Sequence, residues 1–266
     1  MSLFIEPVEF GVCRLAVVPV RADHQESAGQ ITQLLFGDHY EVVAISADKK
    51  WLHIRIYADQ CEGWLDGRQH HQISKEYFEQ INKTDYKITT DVASAVLYKK
   101  SPLTIVMGSI VPISNSELFK IEEQFAFNGE SKGLGQKRDV DFLKSLAKKY
   151  LSSPYQLGGK SPFGIDAPGF TQMVYKIAGY SLHRDIVQQS LQGKKVRTFD
   201  EAHQGDLAFF SEKGGVVNHV GMIMDDARII HVWGQVRIDA LTEEGILNPE
   251  TKIYTHLLHS IRRIIG

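Results

Sequence analysis

The feature that most constrains this chain is a change of hydrophobic period near residues 128–137. From about Cys13 to Phe127 the apolar residues come in strand-length runs: Leu15–Val20, Gln33–Phe36, Tyr40–Ile45, Trp51–Tyr57 and Gly63–Leu65. Gly37-Asp38 and Asp48-Lys49-Lys50 punctuate them as turns. Many short strands at this spacing predict small β-barrels. Asn128–Lys137 holds glycines among polar residues and reads as a linker. Beyond it the period becomes helical. Phe142, Leu143, Leu146, Ala147, Tyr150 and Leu151 form one stripe, with Asp139 as its cap. A second helix follows Asp166, with Phe170, Met173, Val174 and Ile177 on one face and Gly179 at its end. Strands then return over Asp206–Phe210, Val217–Met224, Arg228–Val232 and Val236–Ile238. Lys213-Gly214-Gly215 and Asp225-Asp226 mark the turns between them. Helices followed by an antiparallel run of strands make this part an α+β domain.

The 266 residues are enough for two or three domains. A formal charge of -2 gives no electrostatic reason to expect nucleic acid or an anionic membrane as partner. Cys13 and Cys61 could pair only with each other, and otherwise read as two small buried thiols of a reducing compartment. Met1–Phe10 is not a secretory signal: Glu6 and Glu9 interrupt it and no basic residue opens it. No stretch approaches the roughly 18 apolar residues of a membrane span. The chain as given therefore reads as cytoplasmic.

Two resemblances sharpen the picture. Val18-Pro19-Val20-Arg21, Leu34-Leu35-Phe36-Gly37-Asp38, Trp51 and Glu62-Gly63-Trp64-Leu65 resemble a bacterial SH3-like domain. A second such barrel is expected around Ser94–Phe127, with Met107-Gly108-Ser109 as a turn and Phe125-Ala126-Phe127 as a closing strand. Further on, Pro154-Tyr155-Gln156-Leu157-Gly158-Gly159, Ser161–Asp166, Leu182-His183-Arg184-Asp185, Gly205–Phe210, Asn218-His219-Val220-Gly221 and Ile229-Ile230-His231 follow one another in order. Together they resemble the NlpC-type papain-like cell-wall cysteine peptidases. The expected layout is an SH3-like barrel over 1–76, a second over 77–132 and an NlpC-type domain over 133–266. Family members with SH3-like domains upstream are γ-D-glutamyl-L-diamino-acid endopeptidases acting on peptidoglycan fragments, so a muropeptide is the implied partner.

The family's chemistry needs a cysteine at a helix N-terminus, where the helix dipole and a nearby imidazole favour the thiolate. The thiolate attacks the amide carbonyl, the imidazole protonates the leaving amine, and a third polar group orients the ring. By resemblance, His219 is the base and acid and His231 the orienting group. The nucleophile position is Ala167, whose methyl group forms no acyl intermediate. Cys13 and Cys61 lie far upstream in the barrel region, Pro168 has no hydroxyl, and Ser161 precedes the site on a loop. Leu157, Pro168 and Ile186-Val187 also depart from the family pattern. Departures clustered around one pocket favour natural divergence over a single introduced change. The family holds the substrate's free amine with an acidic and phenolic cluster. The matching positions are Tyr155, Asp166 and Asp185, with Pro168 where a serine is usual.

Each of these residues also has a purely structural reading. Asp166 and Asp185 serve as helix caps, Pro168 suits a first helical turn, Tyr155 packs, and His219 and His231 are half-buried strand histidines. His70-His71 and His256/His259 have no third ligand at a usual zinc spacing, so no metal and no cofactor is expected. Three functions stay open: a non-catalytic muropeptide-binding homologue, an active endopeptidase carrying an introduced alanine, and a scaffold acting through its SH3-like domains.

Overall fold

A computed structural model describes residues 6–114, 119–120, 125–212, 215–248 and 251–266. Residues 1–136 with 157–161 form one compact unit, and 137–156 with 162–266 form another. The mixed class expected from the sequence holds: a β-rich N-terminal region precedes an α+β unit.

The first unit opens with a seven-stranded antiparallel sheet ordered Gln30–Leu35, Val17–Arg21, Glu62–Asp66, Trp51–Ile56, His39–Ile45, Glu9–Val12, Gln72–Ile73. Its strands alternate because every second side chain faces inward. Val18, Val20, Leu34, Tyr40, Val42, Ile54 and Leu65 meet there in one core. Two smaller sheets follow. Val96, Ile105, Val111, Ile113 and Phe125 pack with Phe36 between them. Cys13 and Cys61 are both free thiols, and burial pushes the Cys13 thiol up to about 12.

Helix α1, Lys75–Lys83, was not expected. It buries only Phe78 and Ile81, and Ser74 caps it through the Tyr77 N–H, so its apolar stripe is too thin to register as a period. The expected linker over 128–137 is partly sheet. Ser131–Gly133 pairs antiparallel with Tyr86–Thr89, and Leu134 packs against Ile81, Tyr86 and Ile110. Edge pairing uses backbone groups that every non-proline residue carries, so a polar segment can provide it. Of the expected second barrel, residues 115–118 and 121–124 lie outside the described residues, as do Lys213 and Gly214 of one expected turn. Residues 157–161 belong to this unit. Gly158 adopts φ +75°, and a Cβ there would stand 2.6 Å from the Gln30 carbonyl oxygen.

In the second unit, helix α2 (Val140–Lys149) is capped by Asp139, whose carboxylate accepts from the Phe142 N–H. It ends before Leu151, which is exposed. Helix α3 (Ala167–Ile177) packs on α2 and on the strands Val217–Ile223 and Arg228–Trp233. The four-residue helix α4 (Ile186–Gln189) follows. The sheet runs Lys194–Val196, Tyr254–Arg263, Leu207–Ser211, Val217–Ile223, Arg228–Trp233, Gln235–Leu241, Gly245–Leu247. Tyr254–Arg263 pairs again with Gly245–Leu247, which closes the sheet into a barrel. Ala208, Phe210, Ile223, Ile229, Leu241, Ile246 and Ile261 fill it. Among the described residues, no helix is long and apolar enough to cross a membrane.

Candidate functional site

Ala167 is the first residue of α3 and is 5% exposed. Three features fix the start of this helix. Asp166 is the N-cap, accepting from the Gly169 N–H at 2.8 Å. Pro168 sits in the first turn, where its missing N–H has no intrahelical partner to lose. Gln189 of α4 then ties the turn down, donating to the carbonyls of Pro168 (2.9 Å) and His183 (2.7 Å) and accepting from the Thr171 hydroxyl (2.8 Å). The second carboxylate oxygen of Asp166 meets the Arg184 guanidinium at 2.7 Å, and both side chains are buried.

The imidazoles come from neighbouring strands of the barrel. Gly221 lies opposite His231, and His231 opposite Arg237. Residues two apart on a strand share a face, so His219, His231 and Asp239 point the same way, as do Ile223, Ile229 and Leu241 of the barrel core. A relay results. His219 Nε2 lies 2.9 Å from His231 Nδ1. His231 Nε2 lies 3.0 Å from Asp239 Oδ2, and Arg237 donates to Asp239 Oδ1 at 2.7 Å. His219 is 6% exposed and His231 is fully buried.

The relay sets the tautomers. Burial pushes the Asp239 carboxyl up, but the hydrogen bonds from His231 and Arg237, with the Arg237 charge, outweigh it and hold it below the ordinary range. An ionised Asp239 accepts the His231 Nε2–H. With Nε2–H given to Asp239, His231 turns Nδ1 to the His219 Nε2–H as the acceptor, which leaves the lone pair of His219 on Nδ1. Burial, reinforced by the neighbouring His256 and His231, holds His219 well below 6.5, so at neutral pH it is an uncharged base.

A third imidazole joins these two. His256 stacks on His219 with ring centroids 4.0 Å apart, and Trp233 meets its edge at 4.7 Å. Burial, with the nearby His231, lowers His256 to about 4. Among the described residues, the ring nitrogens of His219, His231 and His256 form a group that could hold a metal ion.

The structure thus gathers His219 and His231 on adjacent strands, with α3, which begins at Ala167, packed against the same two strands. Asp166 is buried and committed to the helix cap and Arg184. Tyr155 and Asp185 are exposed, and Asp185 also caps α4 by accepting from the Gln188 N–H. Sequence reasoning missed Asp239, because the strand expected over Val236–Ile238 stops one residue short of it. It missed the clustering of His256, because no strand was expected where Tyr254–Arg263 runs. It missed the buried pairing of Arg184, which was noted only as part of a turn motif.

A closed barrel with a helix packed on its imidazole-bearing strands is the arrangement of the papain-like, NlpC-type fold class. Residues 152–255 match the NlpC/P60 family, and this part of the chain is an NlpC/P60 family domain. The chain is 27% identical over 251 residues to a γ-D-glutamyl-L-lysine dipeptidyl-peptidase of Bacillus subtilis, covering 87% of this chain and 80% of the relative. A Bacillus cereus protein of the same name is 28% identical over 75% of this chain and 66% of its own length. An NlpC/P60 family crystal structure from Bacillus cereus superposes with a TM-score of 0.82 at 19% identity, covering 97% of this chain and 100% of that one, which shows a shared fold.

Proposed function

We propose that this chain is a muropeptide-recognising homologue of the γ-D-glutamyl-L-lysine dipeptidyl-peptidases that has lost covalent catalysis. One observation carries the reading. The imidazole relay is fully assembled, with its lone pair on His219 Nδ1, while the helix start that would supply the nucleophile ends in the methyl group of Ala167. In this reading His219 occupies the base position and His231 orients it. Asp239 is the fixed anion at the end of the relay, a positioning residue. No sulfur or hydroxyl stands at residue 167 to form an acyl intermediate, and loss of such a nucleophile costs roughly 10⁶-fold in turnover.

Recognition of the peptide's free amine falls to Tyr155 and Asp185, which are exposed, more than to Asp166, whose charge is already paired with Arg184. Pro168 removes the serine hydroxyl of the family from the same rim, so binding is weaker than in an active relative. The β-rich N-terminal region is assigned to SH3-like barrels over 1–76 and 77–132, supported by the sheet order and separate apolar cores there. Isothermal calorimetry with L-Ala-γ-D-Glu peptides tests the proposal. Heat of binding saturating at or below millimolar peptide, with no release of lysine from L-Ala-γ-D-Glu-L-Lys, is the expected result. Absence of heat at millimolar peptide sinks recognition, and hydrolysis sinks the loss of catalysis.

A further inference from the structure

We propose that His219, His231 and His256 form a zinc-binding site with an open fourth position. Their ring nitrogens all lie within 4.8 Å of one another. The side chains come from three strands of a closed barrel, with His219 paired to Phe210, His231 to Gly221 and Arg237, and His256 to Ile246. Tetrahedral zinc with bonds of about 2.0–2.1 Å to nitrogen needs nitrogens roughly 3.3 Å apart. His219 Nε2 and His231 Nδ1 are already 2.9 Å apart, so this pair needs to open by only a few tenths of an ångström. His256 must make the larger move. Its ring lies at 25° to that of His219, and rings stacked so nearly parallel do not aim their lone pairs at one point. Binding therefore turns His256 out of the stack about its side-chain torsions. It is the one imidazole of the three that is only half-buried, with exposed Trp233 packed against it.

The surroundings match what a metal-bound imidazole needs. A ligating histidine usually donates its other N–H to a carboxylate, which fixes the ring and raises its basicity. His231 does so to Asp239, and Arg237 anchors that carboxylate. His256 Nδ1 is hydrogen-bonded to the Thr255 hydroxyl at 2.9 Å, which leaves Nε2 for the metal. A set of three imidazoles with no carboxylate ligand suits zinc rather than magnesium or calcium, which take oxygen. Zinc takes the place of the proton between His219 and His231, and neutral His219 carries that proton on Nδ1 instead of Nε2, so each imidazole keeps one N–H and no proton is lost. The inference does not depend on peptide recognition: zinc binding without peptide binding, or the reverse, leaves the other proposal standing.

The test titrates the full chain, stripped with chelator, with Zn²⁺ against a chromogenic competitor, and records the visible spectrum of the Co²⁺ form. One equivalent bound and a tetrahedral Co²⁺ band are expected. Asp239→Asn should weaken binding about 10–100-fold, as loss of an outer-shell partner does, and His256→Ala by more than that. His259→Ala should leave it unchanged. Circular dichroism confirms that each variant is folded. Should His256→Ala fail to fold, the Co²⁺ spectrum of the wild-type chain decides alone. An octahedral Co²⁺ spectrum, binding equally tight in folded His256→Ala, or binding that disappears in a His70→Ala/His71→Ala variant overturns the proposal.

Discussion

Replacing Ala167 by cysteine adds one sulfur at the head of α3, and the structure says how acidic that thiol should become. An unperturbed thiol titrates near 8.5. The eleven-residue helix α3 presents its positive end to residue 167. At a partly buried site this is worth about 1–2 kcal/mol, or roughly one pKa unit. An ion pair separated by about 4 Å is worth roughly 4 kcal/mol at an effective dielectric of 20, or about three units, and this is the most that a protonated His219 could add. Burial of His219 opposes this, because the imidazolium must form where the neutral ring is strongly favoured. Asp166 adds little repulsion, since Arg184 neutralises it at 2.7 Å. The balance puts the Ala167→Cys thiol between about 4.5, where both gains act in full, and 8.5, overlapping the range of activated cysteines. Turnover should rise at least ~10³-fold over the wild type, short of the roughly 10⁶-fold that a complete nucleophile is worth, because Pro168, Ile186 and Val187 still depart from the family pocket. The thiolate is followed by ultraviolet absorbance and by alkylation rate against pH, and turnover by chromatography of lysine released from L-Ala-γ-D-Glu-L-Lys. His219→Ala in the Ala167→Cys background should return the thiol towards 8.5. A folded Ala167→Cys protein whose thiol titrates at 8.5 or above refutes the reasoning, since the helix end and the relay would then not act on residue 167.

Two further perturbations test the fold around the site. Burial lowers His256 to about 4 and His219 well below 6.5. The unfolded chain therefore binds protons that the folded chain refuses, so stability is full above about pH 6.5 and declines as the pH falls towards 4. For His256, which is partly solvated, the loss should be about 1–2 kcal/mol after allowing for screening. Urea midpoints from pH 7 to 4.5 should fall, and His256→Gln should flatten the trend; a flat wild-type profile would contradict the burial of these rings. In the first unit, Asp38 and Lys160 face each other at 3.7 Å with side chains 1% and 3% exposed, and Asp38 also accepts from the Leu35 N–H. Asp38→Ala strands a buried ammonium and should cost about 3–5 kcal/mol in thermal or urea unfolding, and adding Lys160→Met should recover much of it. An Asp38→Ala protein as stable as the wild type would mean that the pair is solvated.

The sequence by itself determined the elements whose signal is local. The period of α3 from Phe170 to Ile177, the caps Asp139 and Asp166, and the alternation around His219 and His231 all follow from side chains acting within a few residues of one another. Their order along the chain was enough to mark the family resemblance and to show an alanine where the chemistry needs sulfur. Tertiary structure alone decided which distant groups meet. Asp239 reaches His231 because two strands align in register, and His256 reaches His219 because the last strand closes the barrel. Arg184 meets Asp166 beside the turn into α4. Pairing register and barrel closure arise from backbone hydrogen bonds and from apolar burial summed over many residues, and neither leaves a mark at the individual histidine or carboxylate that it brings into place.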